Sequence, residues 1–369
     1  MRASLLPALL AAALAPAQAA TVPSQLRDFF PIGVWVPPPY AYATWQVRGA
    51  NTMVGIGFDL EGSIAQANTL GLHMIREPRA NPADDANEPL LLGWAQPDEP
   101  DGIYSQIPYA QIQSTYAGWK SIAPNRLVFI NFVGDLNQYD LVTSESGNTW
   151  YMKYVQGADW ICADKYPVNQ GITNFAVMGQ TMDHLQTLAG TKPIFAFIES
   201  SDFDPTDAFP GPSPAQLRAE MWEVIVHGAR GIWFFPERIT PTFLFDATPV
   251  GVVTEMTQQN ATITALATVL QGDVNPAPVS AQVAAPLDAG WRVAAASGYH
   301  FIVVNLSGST LNAQTITLTG IGNAASAGVY GEARSVPITG GAIHDDFAPY
   351  AVHIYTLPLP DEIFRDGFD

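Results

Sequence analysis

Residues 91–101 read LLGWAQPDEPD. An apolar run gives way, between Pro97 and Pro100, to Asp98-Glu99-Pro100-Asp101, three carboxylates in four positions. Charged residues make up 14% of the chain, so this crowding is out of character with the rest of it. Neighbouring like charges repel and raise one another's proton affinity, which makes such a cluster costly unless it is used. A buried strand that runs straight into acids is the pattern of a parallel β/α unit whose carboxyl end faces a site.

Seven further runs share the first half of that pattern: PIGVWV (31–36), NTMVGI (51–56), GLHMIRE (71–77), RLVFINF (126–132), DWICADKY (159–166), KPIFAFIES (192–200) and RGIWFFP (230–236). With LLLGWA (90–95) they make eight. All are near-continuously apolar rather than alternating, as parallel strands covered on both faces must be. Helical stretches lie between them. DLEGSIAQANTLG (59–71) ends on a glycine stop, IPYAQIQSTYAGWKSIAP (107–124) ends at Pro124, and SPAQLRAEMWEVIVHGARG (213–231) opens with Ser213 as N-cap and Pro214 in the first turn. VVTEMTQQNATITALATVLQ (252–271) follows the eighth strand. The intervals after strands one and three predict short or irregular helices. Eight strand–helix repeats imply an α/β fold, a closed (β/α)8 TIM barrel. No G-x-G-x-x-G follows an early strand, so a dinucleotide-binding sheet has no support.

The ends of the chain differ in texture. MRASLLPALLAAALAPAQAA (1–20) carries one arginine, a Leu/Ala run and an A-x-A ending at Ala17-Gln18-Ala19, the pattern of a secretory signal peptide and of a secreted, periplasmic or cell-surface protein. After Gly272, apolar and polar residues alternate and turn residues recur every eight to twelve positions, which predicts a small antiparallel β-sandwich. The expected parts are a signal peptide (1–20), a barrel (21–272), a β-sandwich domain (273–358) and an acidic flexible tail (359–369).

A net charge of −18 disfavours nucleic acid and anionic membrane surfaces as partners. The lone Cys162 sits in an apolar run and reads as a small buried hydrophobe. Six histidines (73, 184, 227, 300, 344, 353) show no i, i+4 pair, Asp59/Glu61 and Asp84/Asp85 do not follow a calcium-loop spacing, and neither G-x-S-x-G nor a P-loop is present. No cofactor or metal is expected. Nine tryptophans and thirteen tyrosines suit sugar rings, whose C–H faces stack on aromatics. A monomer acting on a poly- or oligosaccharide is the expected state.

Barrel sites lie at the carboxyl ends of the strands. Those ends carry Trp35, Gly57 to Asp59, Arg76 with Glu77, Asp98 with Glu99, Asn131 to Asp135, Asp164 with Tyr166, Glu199, and Trp233 to Glu237. Glu99 follows the fourth strand and Glu199 closes the seventh. Their strands lie three places apart around the ring, so inward-reaching carboxyls can approach to roughly 5–5.5 Å, the separation used by retaining glycosidases. One would attack the anomeric carbon and the other protonate the leaving oxygen.

In this arrangement the chain resembles the 4/7 superfamily (clan A) of retaining (β/α)8 glycoside hydrolases, over about residues 25–272. The resemblance implies Glu99 as acid/base, Glu199 as nucleophile, Arg76 holding the nucleophile ionised, Tyr166 hydrogen-bonding Glu199, and Trp233 as floor of the sugar subsite. Asp98 stands where the clan usually has Asn. Trp35 and Trp94 are candidate platforms and Asp164 a candidate polar contact, whereas Trp45, Trp119, Trp160 and Trp222 read as packing residues. Long loops after strands one, three and seven favour endo action. Two other readings share these residues: a carbohydrate-binding barrel without catalysis, and an inverting glycosidase using Asp98 or Asp164.

Overall fold

A computed structural model describes residues 26–359 apart from Phe58 and Ser105. The leader and all but the first residue of the tail lie outside the described residues. Eight parallel strands close into one barrel in sequence order: β1 (Ile32–Trp35), β2 (Thr52–Val54), β3 (His73–Arg76), β4 (Leu91–Ala95), β5 (Leu127–Val133), β6 (Trp160–Asp164), β7 (Ile194–Glu199) and β8 (Ile232–Phe235). The ring shuts where Gly33 of β1 pairs in register with Trp233 of β8. Every apolar run named above supplies one strand.

Around the barrel lie α1 (Tyr42–Val47), α2 (Leu60–Leu70), α3 (Tyr109–Ile122), α4 (Gly147–Val155), α5 (Ala176–Ala189), α6 (Pro214–Val226), α7 (Val250–Ala265) and α8 (Ala267–Leu270). No helix follows β3 beyond one 3-10 turn, Pro82–Asp85. Local chemistry sets the ends. Asp59 caps α2 by accepting from Gly62 N, and Gly71 stops it in the left-handed region. Ser213 and Gln216 form a reciprocal capping box on α6. Among the described residues no helix is long and apolar enough to cross a membrane.

The barrel interior is filled, not hollow. Val54, Ile75, Phe129, Trp160, Cys162, Phe195, Phe197 and Trp233 form one cluster inside it, while the alternate residues of the same strands pack outward under the helices. This two-sided burial is the reason the strand sequences are almost wholly apolar.

The second module has a five-stranded sheet, β10 (Leu287–Ala294), β11 (Gly298–Asn305), β16 (Val352–Leu357), β13 (Ser326–Val329) and β14 (Arg334–Pro337), in that order. Facing it is a three-stranded sheet of β15 (Ala342–Phe347), β12 (Leu311–Thr319) and β9 (Ser280–Gln282). All pairings are antiparallel, and a separate core between the sheets includes Phe301, Ile316, Ile343 and Tyr355. The module docks on α6. Buried Arg292 of β10 donates to the carbonyls of Ile225 (2.6 Å) and Leu270 (3.4 Å). Gly290 permits the close approach, since a Cβ there would stand 2.9 Å from the Val226 carbonyl oxygen.

Candidate active site

The turn after β4 carries the candidate site. Gln96 N donates to Phe129 O (2.8 Å), carrying the β4–β5 pairing one residue past Ala95. The chain then turns sharply, with Gly102 N donating to Glu99 O at 2.9 Å. Glu99 takes the left-handed conformation, φ 41°, which costs a non-glycine residue energy and persists where the surroundings enforce it. The surroundings here are anchored by Asp101. Fully buried, it accepts from Tyr151 Oη (2.9 Å) and Val133 N (3.2 Å), tying the turn to α4 and β5. Burial pushes its carboxyl up to about 7, against those two donors.

Asp98, Glu99 and Asp164 converge. Asp98 opens toward the cleft yet is otherwise surrounded by protein, and accepts from Asn131 Nδ2 at 3.0 Å. Burial first, and then the Glu99 charge, raises Asp98 to about 6 despite the Asn131 amide. Asp164, from the end of β6, lies within hydrogen-bonding reach of the Glu99 carboxyl. Burial and the charges of Glu99 and Asp98 push its proton affinity far above the ordinary carboxylate range. Asp164 and Glu99 thus stand together at the mouth of the barrel, where Asp164 binds a proton more tightly than an ordinary carboxyl does. Gly134 makes the approach of β5 and β6 possible here, because a Cβ would meet the Asp164 carbonyl oxygen at 2.4 Å.

Beside this cluster is a cavity of about 370 Å³, lined by Trp35, Gly57, Glu77, Gln96, Asp98 and Asn131, among others. Aromatic side chains rim the same face of the barrel: Tyr40 after β1, Tyr104 after β4, Tyr139 after β5, Phe209 after β7 and Phe243 after β8. All are exposed, Tyr104 by 97%. Exposed rings therefore stand on five of the βα loops.

Glu199 is differently placed. It has no exposed surface. Its carboxylate accepts from Val168 N (2.6 Å), Asn169 N (2.8 Å) and the Asn169 side-chain amide. Burial raises it and these donors oppose the rise. Glu220 of α6, also fully buried, neighbours it, and burial, then the Glu199 charge, pushes the Glu220 carboxyl well above the ordinary carboxylate range. Two acids thus face each other between β7 and α6.

Three expectations are corrected by burial. Arg76 is enclosed and makes a two-pronged ion pair with Asp85 (2.6 and 3.1 Å), so its guanidinium is committed to that acid. Trp94 has no exposed face and donates its indole N–H to the same Asp85 (2.9 Å). Trp233 stacks on Phe195 inside the barrel, centroids 5.3 Å apart, and offers no surface to a sugar. Tyr166 packs its ring against Phe203 (5.1 Å) and Phe235 (5.4 Å). The donors described on Glu199 come from the loop after it, not from its hydroxyl. Trp35 lines the cavity. Asn131 and Glu77 stood among the strand-end residues of the sequence with no role assigned, and the rim aromatics were not singled out. Asn131 is a lone amide on the inward-facing row of an otherwise apolar strand.

The sequence matches no protein-family model and no curated protein. Solved structures do resemble the fold. One is a catalytic mutant of Gan42B, a GH42 beta-galactosidase from G. stearothermophilus: TM-score 0.61, 7% identity, covering 89% of this chain and 98% of that one. AmyP in complex with maltose gives TM-score 0.57 at 8% identity, covering 91% and 98%. An alpha-amylase from Geobacillus thermoleovorans, complexed with acarbose, gives 0.56 at 8%, covering 86% and 90%. At such identities the likeness is one of fold.

Proposed function

We propose that the chain is an exported glycoside hydrolase that cleaves a poly- or oligosaccharide laid across the barrel mouth, with Glu99 as the proton-transferring residue. One observation carries the reading: Glu99, on a strained turn at the end of β4, stands beside Asp164, a buried carboxyl of raised proton affinity, next to a cavity lined by Trp35 and Asp98. A proton held at the cleft is what departure of a glycosidic oxygen requires. The fold's likeness to proteins described with maltose and acarbose supports the same substrate class. The open rim favours endo action on a chain.

Two courses follow protonation of the leaving oxygen and rupture of the C–O bond. In the retaining course Glu199 attacks the anomeric carbon, and water, deprotonated by Glu99, later releases the sugar. The enclosure of Glu199 and the donors already on its oxygens favour a second course. There Asp98, which faces the cavity, takes the proton of the attacking water and the configuration inverts. The test is reducing-end release from a panel of plant, fungal and bacterial polysaccharides, with product anomers followed by NMR. Glu99→Gln should lose activity in either course. Inversion with loss in Asp98→Asn supports the second, while retention with azide rescue of Glu199→Gly supports the first. Sugar release by Glu99→Gln at the parent rate, or no release from any polymer by the parent, overturns the proposal.

A further inference from the structure

On the flank of the barrel, away from its mouth, α5, α6 and the sandwich strand β10 bring four ionisable side chains together. His227 caps the C-terminus of α6, and Glu223 stands one turn earlier on the same face. Asp288 comes from β10 and Asp183 from α5. His227 Nδ1 is 2.8 Å from Asp183 Oδ1, while Nε2 is 3.2 Å from Asp288 Oδ2 and 3.5 Å from Glu223 Oε1. The Glu223 side chain is 1% exposed, and neither of its oxygens accepts a hydrogen bond. A buried carboxylate without a donor is a state that proteins avoid unless something else meets the charge.

We propose that Glu223, His227 and Asp288 form a zinc site that staples the sandwich to the barrel. Three ligand atoms, His227 Nε2 and one oxygen from each acid, lie within 4.8 Å of one another. Zinc–nitrogen and zinc–oxygen bonds of about 2.0–2.1 Å make a tetrahedron with edges of roughly 3.3 Å. The 3.2 and 3.5 Å separations lie on either side of that edge. One imidazole with two carboxylates is a donor set for zinc, with water completing the four. Asp183 has the role of the outer carboxylate that orients a ligating imidazole: it accepts from Nδ1–H and leaves the Nε2 lone pair facing the acids. Gly179 of α5 permits the close packing around this pair, since a Cβ there would stand 2.4 Å from His227 Nε2 and 2.5 Å from Glu223 Oε1. Asp288, 35% exposed, leaves a path for the ion. This assignment is independent of the reaction proposed at the barrel mouth.

The experiment uses the full chain without a polyhistidine tag, stripped with a chelator and dialysed against micromolar zinc, with metal counted by mass spectrometry. The parent should hold one zinc more than Glu223→Gln or Asp288→Asn, both checked for native circular dichroism. Zinc should raise the melting temperature of the parent and leave Asp288→Asn unmoved. Asp183→Asn should still bind, with affinity lower by about 10–100-fold. A parent that holds no more zinc than Asp288→Asn overturns the site. His227 is then an imidazolium neutralised by its three acids, which would show as a ring still protonated well above neutral pH.

Discussion

Glu99 is held where a glutamate is uncomfortable. Its φ of 41° survives because Asp101 anchors the turn behind it and Asp164 meets its carboxyl in front. Two predictions follow at this scale. Glu99→Gln keeps the shape but cannot pass a proton, so turnover on the cleaved polysaccharide should fall by about 10²–10⁴ with an unchanged melting curve. Asp101→Ala would leave the Tyr151 hydroxyl proton and the Val133 amide without an acceptor, costing about 2–4 kcal/mol. It should lower both melting temperature and kcat, because the turn that aims Glu99 is released. A kcat equal to the parent's would mean that the turn needs no anchor. The three carboxylates of residues 98–101 are thus unequal in placement: one is an anchor, one faces the cavity, and one stands beside Asp164.

Among the elements, α6 bears most on how the modules sit together. One end is fixed by the Ser213–Gln216 capping box, and the other carries His227 and the Ile225 carbonyl that Arg292 reaches. Its buried residues face both modules, which explains why its sequence lacks a clean polar stripe. Ser213→Ala removes the acceptor for Gln216 N and should cost about 1 kcal/mol, read as a small drop in the denaturant midpoint at constant m. The region after β3 works differently. With one 3-10 turn in place of a helix, it is held by Asp85, which gathers Arg76, Arg79 and the Trp94 indole. Arg76→Met would strip a buried acid of its closest cation and should destabilise by about 3 kcal/mol. If that variant melts with the parent, Arg79 alone suffices.

Across the whole molecule, buried carboxyls tilt stability toward mild acid. Burial raises Asp101 and Glu237 to about 7 and lifts Glu220 and Glu223. A raised carboxyl keeps its proton in the folded state at a pH where the unfolded chain has released it. Stability therefore falls as pH climbs from about 4 through 7. His227 has the same sign. Burial opposes its charge, but Asp183, Asp288 and Glu223 outweigh that and raise it to about 12. Its contribution is complete below the ordinary histidine value and fades as pH rises toward 12. Asp85 and Asp345, lowered by their arginine partners against the effect of burial, act oppositely and lose their contribution as pH drops below about 4. With chelator present, the melting temperature should be about 3–6 °C higher at pH 5 than at pH 8. A flat profile, or a rise toward pH 8, would show that these groups ionise at ordinary values.

The strand sequences by themselves determined the barrel. A strand covered on both faces must be apolar throughout, and eight such runs with helices between them leave few other architectures. The same holds for the capped ends of α2 and α6, which are set by neighbours three or four residues away. Which acids face a cavity, and which are enclosed, was decided only by tertiary structure. Glu199 and Glu99 both end apolar strands in sequence, yet one is wrapped by the Val168–Asn169 backbone and the other stands beside Asp164. Trp94 and Trp233 look like Trp35 in sequence, and only packing shows which ring keeps a free face. The His227 cluster was beyond local reading for the same reason. Its ligands come from α6 and β10, with Asp183 of α5 behind, and no spacing along the chain records that three elements meet.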